Sequence, residues 1–162
     1  MKLLISDTNV CIDLYFGNLL NVISALPFEI GISDAILLEL IKPTSQEIIE
    51  ADFKIYSIKS TSVANVFTFA EKYVKPSIQD LFSMVTARDY DAILLTGDKS
   101  LRKAAKSEGI EFKGVLWILD SLLFYKVIDH HKAIKSLQSI IDHGARLPKS
   151  ECDKRIRLWN KN

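Results

Sequence analysis

The sequence predicts an α/β fold built on a parallel central sheet. Strand-length apolar runs alternate with helical stretches along most of the chain. One of those runs, Ala92 to Thr96 (AILLT), is apolar almost without interruption, as expected of a strand buried on both faces of a parallel sheet. No repeat, low-complexity segment or linker breaks the alternation. With 162 residues, 48% apolar and 25% charged, the chain has the size and composition of one soluble domain with a substantial core.

Lys2 to Ser6 (KLLIS) reads as a short buried strand. Asp7-Thr8-Asn9 follows it, and a helix runs from Val10 to a break at Gly17-Asn18, with a second short helix to about Leu26. Phe28 to Ser33 (FEIGIS) is the next strand. Ser33 or Asp34 suits the N-cap of a helix that carries Glu39 and ends at Pro43. Phe53 to Ile58 alternates like a strand. Ser60-Thr61-Ser62 then caps a helix whose inward face is Val63, Val66, Phe67, Ala70 and Val74. Pro76-Ser77 opens another helix, with Asp80 in its first turn and Leu81, Met84 and Val85 facing inward. After AILLT, Gly97-Asp98 turns the chain into a helix with Leu101, Ala104 and Ala105 on its apolar face. Glu111 to Lys113 is a last short strand. Helices follow at about Val115 to Val127, His130 to Asp142 and Lys149 to Trp159. Ala133, Ile134, Leu137, Ile140 and Ile141 form the stripe of the second, and Cys152, Ile156 and Trp159 that of the third. Residues 1–127 are expected to form the main domain, and 128–162 a helical C-terminal extension packed on it.

No apolar run reaches the length of a membrane span, and the first residues meet an acid at position 7, unlike a secretory leader. A cytoplasmic protein is expected. Cys11 and Cys152 have no metal-ligand spacing and read as reduced thiols, a bridge between them being the less favoured alternative. The three histidines have no fourth partner, which argues against zinc. Net charge is +1, but residues 143–162 carry a net of +4 and the rest a net of −3. That asymmetry suits a polyanion, or simply a solvated terminal helix.

Four acids stand where strands end or helices begin: Asp7, Glu39, Asp80 and Asp98. Open α/β sheets place their ligands along that edge. Four carboxylates meeting there repel, each pair at ~4 Å costing roughly 1 kcal/mol even in a water-like medium. They are tolerable with a cation between them or with some protonated. Taken singly, Asp7 and Asp98 suit N-caps and Asp80 suits a helix N-terminus. Glu39, flanked by leucines in AILLEL, needs a partner. Together and in this order, the four point to a shared site for a hard cation.

DTN after the first strand, ISDAILLEL, SIQD at a helix start and ILLTGDKSLRKAA resemble the PIN-domain nucleases, among them the toxins of type II toxin–antitoxin pairs. The resemblance covers about Met1 to Leu122. GVLWILDSLL and RLPKSE are further similar to a bacterial subgroup. The family's acids, one after strand one, one on an early helix, one before the TxD strand and one in TxD itself, are matched by Asp7, Glu39, Asp80 and Asp98. Some members carry another acid just after TxD; here Lys99 and Ser100 follow. The resemblance implies a three-layer α/β/α fold and hydrolysis of RNA to 5′-phosphate and 3′-hydroxyl ends. It implies Mg2+ or Mn2+ as cofactor, with Asp7 and Asp98 on a first metal and Glu39 and Asp80 holding a second or orienting water.

Thr8, Asn9 and Thr96 are candidates to orient the carboxylates, or they cap local turns. Lys99, Arg102, Lys103 and Lys106 are candidate phosphate contacts, or a solvated helix face. The resemblance also implies homodimerisation and a small antitoxin partner. Leu14, Tyr15, Phe16, Leu19 and Leu20 would line a groove for that partner or lie in the core. Two rival readings have different residue requirements. A phosphatase of the haloacid dehalogenase type needs a second acid two residues after the first, where this chain has Asn9. A catalytically inactive PIN-fold module binding RNA or protein would need none of the acids.

Overall fold

The computed structural model describes residues 1–162. Five parallel strands form one sheet in the order β3-β2-β1-β4-β5: β1 (Lys2–Ser6), β2 (Phe28–Ser33), β3 (Lys54–Tyr56), β4 (Ile93–Leu95) and β5 (Phe112–Lys113). The alternation of side chains along a strand divides the interior in two. On β1, Leu4 enters the larger core and Ile5 the smaller; on β4, Ile93 and Leu95 enter the larger and Leu94 the smaller. The larger core is covered by α1 (Thr8–Phe16), α7 (Val115–Phe124), α8 (His130–Asp142) and α9 (Lys149–Asn160). The smaller is covered by α4 (Val63–Lys72), α5 (Ile78–Asp89) and α6 (Lys99–Ser107). The result is the expected three-layer α/β/α arrangement. No helix is long and apolar enough to cross a membrane.

The chain builds outward from β1 through β2 to β3, then returns to β4 on the other side of β1. Register pairs Leu4 with both Ile30 and Ile93. The strand order therefore reverses between β1 and β4, and a crevice opens beyond their carboxyl ends. Asp7 follows β1 directly, its amide still paired to the Leu95 carbonyl at 2.9 Å.

Several elements differ from expectation. The helix expected to carry Glu39 to Pro43 is a single turn, α2 (Asp34–Leu37), and Glu39 lies in the turn beyond it. One turn has too few hydrogen bonds to propagate alone, and packing does not extend it: Leu38 is 90% and Ile41 83% exposed. The second short helix is a 3-10 turn at Ile23–Ala25. An unforeseen helix, α3 (Ser45–Glu50), is started by a capping box between Thr44 and Glu47, a T-x-x-E pattern visible in the sequence. Ser60–Ser62 forms a 3-10 turn rather than a side-chain cap. The inward stripe of α4 is Val66, Phe69, Ala70 and Tyr73, while Phe67 and Val74 are 57% and 86% exposed. Both stripes fit a helical period, and only the neighbouring elements choose between them. The expected strand at 53–58 contracts to Lys54–Tyr56, and the helix expected to reach Val127 ends at Phe124.

Leu14, Leu19 and Leu20 are buried in the larger core with Tyr15 packed against it, so those four are core rather than groove, while half-buried Phe16 stacks on His143. Cys11 and Cys152 are free thiols in the same core. The last helix joins it through Cys152 and Trp159, and Arg155 ties α9 to Asp120 of α7 at 2.7 Å. Trp159→Ala removes the largest of these contacts. It is expected to cost about 3–5 kcal/mol in urea unfolding. An unchanged midpoint would mean that α9 contributes little to the fold.

Candidate functional site

Three of the four acids are held by the helices they start. Asp7 is the N-cap of α1, with Oδ1 accepting from the Val10 amide at 2.8 Å. Asp98 is the N-cap of α6, with Oδ1 accepting from the Leu101 amide at 2.8 Å and from the Ser100 hydroxyl. Asp80 and Ser77 form a capping box, with Asp80 Oδ2 accepting from the Ser77 amide at 3.0 Å. Each carboxylate thus commits one oxygen to its helix, which fixes its direction, and leaves the other without an intramolecular hydrogen bond. The local capping role and a shared site are compatible because they use different oxygens.

The spare oxygen of Asp7 is the most unusual atom here. Asp7 is fully buried, and its Oδ2 has no hydrogen bond of ordinary geometry, although the Thr96 hydroxyl stands near enough to favour the charged carboxyl. Burial pushes the carboxyl up to about 7; the Thr96 hydroxyl and the Val10 amide resist, while Asp80 and Asp13 add to the rise. Burial also raises Asp80, against its bonds to Ser77, and the charges of Asp98 and Glu39 raise it further. Asp80 therefore lies in the mutual field of the other three acids. For Asp98, burial is outweighed by the Ser100 hydroxyl and the Leu101 and Ser100 amides, so it sits below the usual range.

Glu39 reaches the same edge from the exposed turn after α2. Its Oε1 accepts from Thr8 Oγ1 at 2.9 Å, which ties it to the start of α1 beside Asp7. It is not the acid in an apolar helix that the sequence suggests. Asp13, within VCIDLYF of α1, fits that description: it is half-buried, and burial raises its carboxyl to about 6. The signal of an acid in an apolar helix belongs to Asp13, not to Glu39.

The four acids share an edge without forming a closed cage. No three His, Cys, Asp or Glu groups stand close enough to hold one ion between them. The donor set is nevertheless all oxygen, suited to Mg2+ or Mn2+. Mg2+ commonly uses one or two carboxylates and keeps several waters, so a three-ligand cage is not required. The orphaned Oδ2 of Asp7 is the kind of atom a cation satisfies.

The supporting candidates divide. Thr8 holds Glu39, and Thr96 Oγ1 accepts from the Asp98 amide at 3.1 Å while standing near Asp7. Asn9 is exposed on the first turn of α1 and joins none of these contacts. Lys99, Lys103 and Lys106 are exposed on α6. Arg102 is turned inward: its Nε donates to the Thr96 carbonyl at 2.9 Å, and its guanidinium lies over Phe112 at 5.3 Å. Ser100 was missed by the sequence reasoning, although a serine two residues after an N-cap aspartate is a recognisable local partner.

A family model described as PIN domain matches residues 3–161. Among solved structures, the chain is similar to VapBC2 from Rickettsia felis bound to a DNA fragment from their promoter. That likeness has a TM-score of 0.49 and 19% identity, over 69% of this chain and 98% of the other. No curated protein matches the chain.

Proposed function

The chain belongs to the PIN-domain family, and from that premise we propose that it is a Mg2+- or Mn2+-dependent ribonuclease acting at the edge formed by Asp7, Glu39, Asp80 and Asp98. The observation that carries this reading is the fully buried Asp7 with its unpartnered Oδ2, facing the field of Asp80 at the reversal of strand order. Asp7 and Asp98 would hold the metal, and Glu39 and Asp80 would hold a second ion or orient the attacking water. When bound, the metal activates water and offsets charge on the scissile phosphate. The caps keep the carboxylates from turning away: the Val10, Ser77 and Leu101 amides each hold one oxygen. Thr8 does the same for Glu39. Lys99 and Lys103 would meet RNA phosphates beside the site. The expected products carry 5′-phosphate and 3′-hydroxyl ends.

The direct test incubates purified protein with labelled RNA and Mn2+ or Mg2+. Cleavage is expected, with loss on chelation and in Asp98→Asn. Absence of cleavage, together with no thermal shift from either ion, would overturn the nuclease reading. RNA binding in that same experiment would favour the inactive binding module.

The proposal extends to a small antitoxin partner. The exposed Leu38 and Ile41 flank Glu39 and offer apolar surface next to the acids. A partner segment with apolar side chains and one basic residue suits that chemistry. Expression is expected to arrest growth, with relief by the product of a neighbouring gene. Harmless overexpression of an active nuclease would exclude the toxin role.

A further inference from the structure

The turn between β4 and α6 presents two of the site's groups, Thr96 and Asp98, on either side of Gly97. A Cβ at Gly97 would meet nothing within 4 Å, so packing at that residue does not hold the turn. The Asp98 amide closes it from within by donating to Thr96 Oγ1 at 3.1 Å, and Arg102 spans it from outside. Its backbone amide donates to the Asp98 carbonyl at 3.0 Å, and its side-chain Nε donates to the Thr96 carbonyl at 2.9 Å. The guanidinium is supported on one side by the Phe112 ring. On another it rests against Gly114, where a Cβ would stand 2.4 Å from a guanidinium nitrogen. The backbone of Gly114 is extended, with φ −122° and ψ −177°, a conformation open to any residue. What glycine provides there is room. The Thr96 carbonyl would be 3.7 Å from the added carbon, an ordinary contact, so the clash falls on Arg102.

We propose that Arg102 is a positioning residue for the carboxylate edge. It acts through the Thr96 carbonyl to set the Thr96–Asp98 turn, and Gly114 is the space its guanidinium occupies. The inference rests on the ribonuclease reading above. It gives Arg102 a different role from a phosphate contact. A planar guanidinium can donate from Nε while stacking on Phe112; the point charge of lysine cannot do both.

The test compares Arg102→Ala, Arg102→Lys, Gly114→Ala and the double variant Arg102→Ala/Gly114→Ala with the unaltered protein. Mn2+ affinity is read by calorimetry, and kcat and KM on a labelled RNA. Arg102→Ala is expected to lower Mn2+ affinity and kcat by about 10–100-fold, as for other groups that orient metal-binding side chains. KM should remain nearly constant, and Arg102→Lys should not restore either property. Gly114→Ala should act in the same direction in the otherwise unaltered protein and add nothing once Arg102 is removed.

Arg155→Ala, which breaks the α7–α9 tie, serves as the control for lost stability. It should lower the melting temperature without affecting Mn2+ affinity. A rise in KM with unchanged Mn2+ affinity would make Arg102 an RNA contact and overturn the proposal. Additive losses in the double variant, or equal loss of Mn2+ affinity in Arg155→Ala, would overturn it as well. If the unaltered protein binds no Mn2+ and cleaves no RNA, the ribonuclease reading fails and this inference falls with it. An active parent whose variants behave like it would overturn this inference alone.

Discussion

Asp7→Asn is expected to reduce metal-dependent cleavage by about a thousandfold or more, the scale of the several kcal/mol a metal centre contributes. Above pH 7, where the native carboxyl is ionised, the same change should raise the melting temperature of the metal-free protein. Both effects follow from one atom. The Asp7 carboxylate is fully buried and its Oδ2 has no hydrogen bond of ordinary geometry, so its charge is unfavourable until a cation meets it. Asparagine retains the oxygen that caps α1 through the Val10 amide and removes the charge. Asp98→Asn makes the informative contrast. It should also abolish cleavage but lower stability, because the Ser100 and Leu101 contacts favour the charged form of Asp98. Thermal melts with and without Mn2+, beside an RNA cleavage assay, read all four outcomes. Cleavage surviving in Asp7→Asn would remove that residue from the site. A drop in its metal-free melting temperature would mean that the buried charge is already compensated within the protein.

Raising the pH should destabilise the metal-free protein across the window from about 4 to about 7. In this window the unfolded chain has lost the Asp7 proton, whose unperturbed value is 3.8, while the native state holds it up to about 7. The native state then binds more protons, so unfolding becomes easier as pH rises. Below the window both states are protonated and the stabilisation is complete; above it both are ionised and it is lost. The shift corresponds to at most roughly 4 kcal/mol from Asp7. Asp13, raised to about 6, and Asp80, also raised, act with the same sign. Asp98 acts oppositely and loses its contribution as the solution becomes acidic.

A metal binding at Asp7 must displace that proton. Mn2+ affinity should therefore strengthen by about tenfold per pH unit below 7 and level off above it. Calorimetry near pH 6 in buffers of different ionisation enthalpy should count close to one proton released per ion. Affinity constant between pH 5.5 and 8 would show that the ion binds away from Asp7.

Most of what is legible in the sequence is local. The caps at Asp7 and Asp98 and the capping box at Ser77–Asp80 close within three residues, so their residue types announce them wherever they occur. The strands Lys2–Ser6 and Phe28–Ser33 and the helix His130–Asp142 are equally plain, because their apolar patterns match one period and their ends carry turn residues. Glu39 failed this approach. AILLEL has the composition of a buried helix, yet Leu38 ends in solvent. An apolar run records what a segment could bury, not what covers it.

The sequence by itself determined the α/β class, the five strands in chain order and which acids start helices. Hydrogen bonds and periodicity within a few residues are enough for those properties. The tertiary structure decided that strand order reverses between β1 and β4, which depends on Leu4 pairing with Ile93 across most of the chain. That pairing joins Asp7 to Leu95, the packing of α5 on the sheet and on α2 brings Asp80 and Glu39 into one field, and the Thr96 carbonyl and Phe112 hold Arg102 inward. Burial and charge proximity belong to the assembled surfaces, and no single segment carries enough information to specify them.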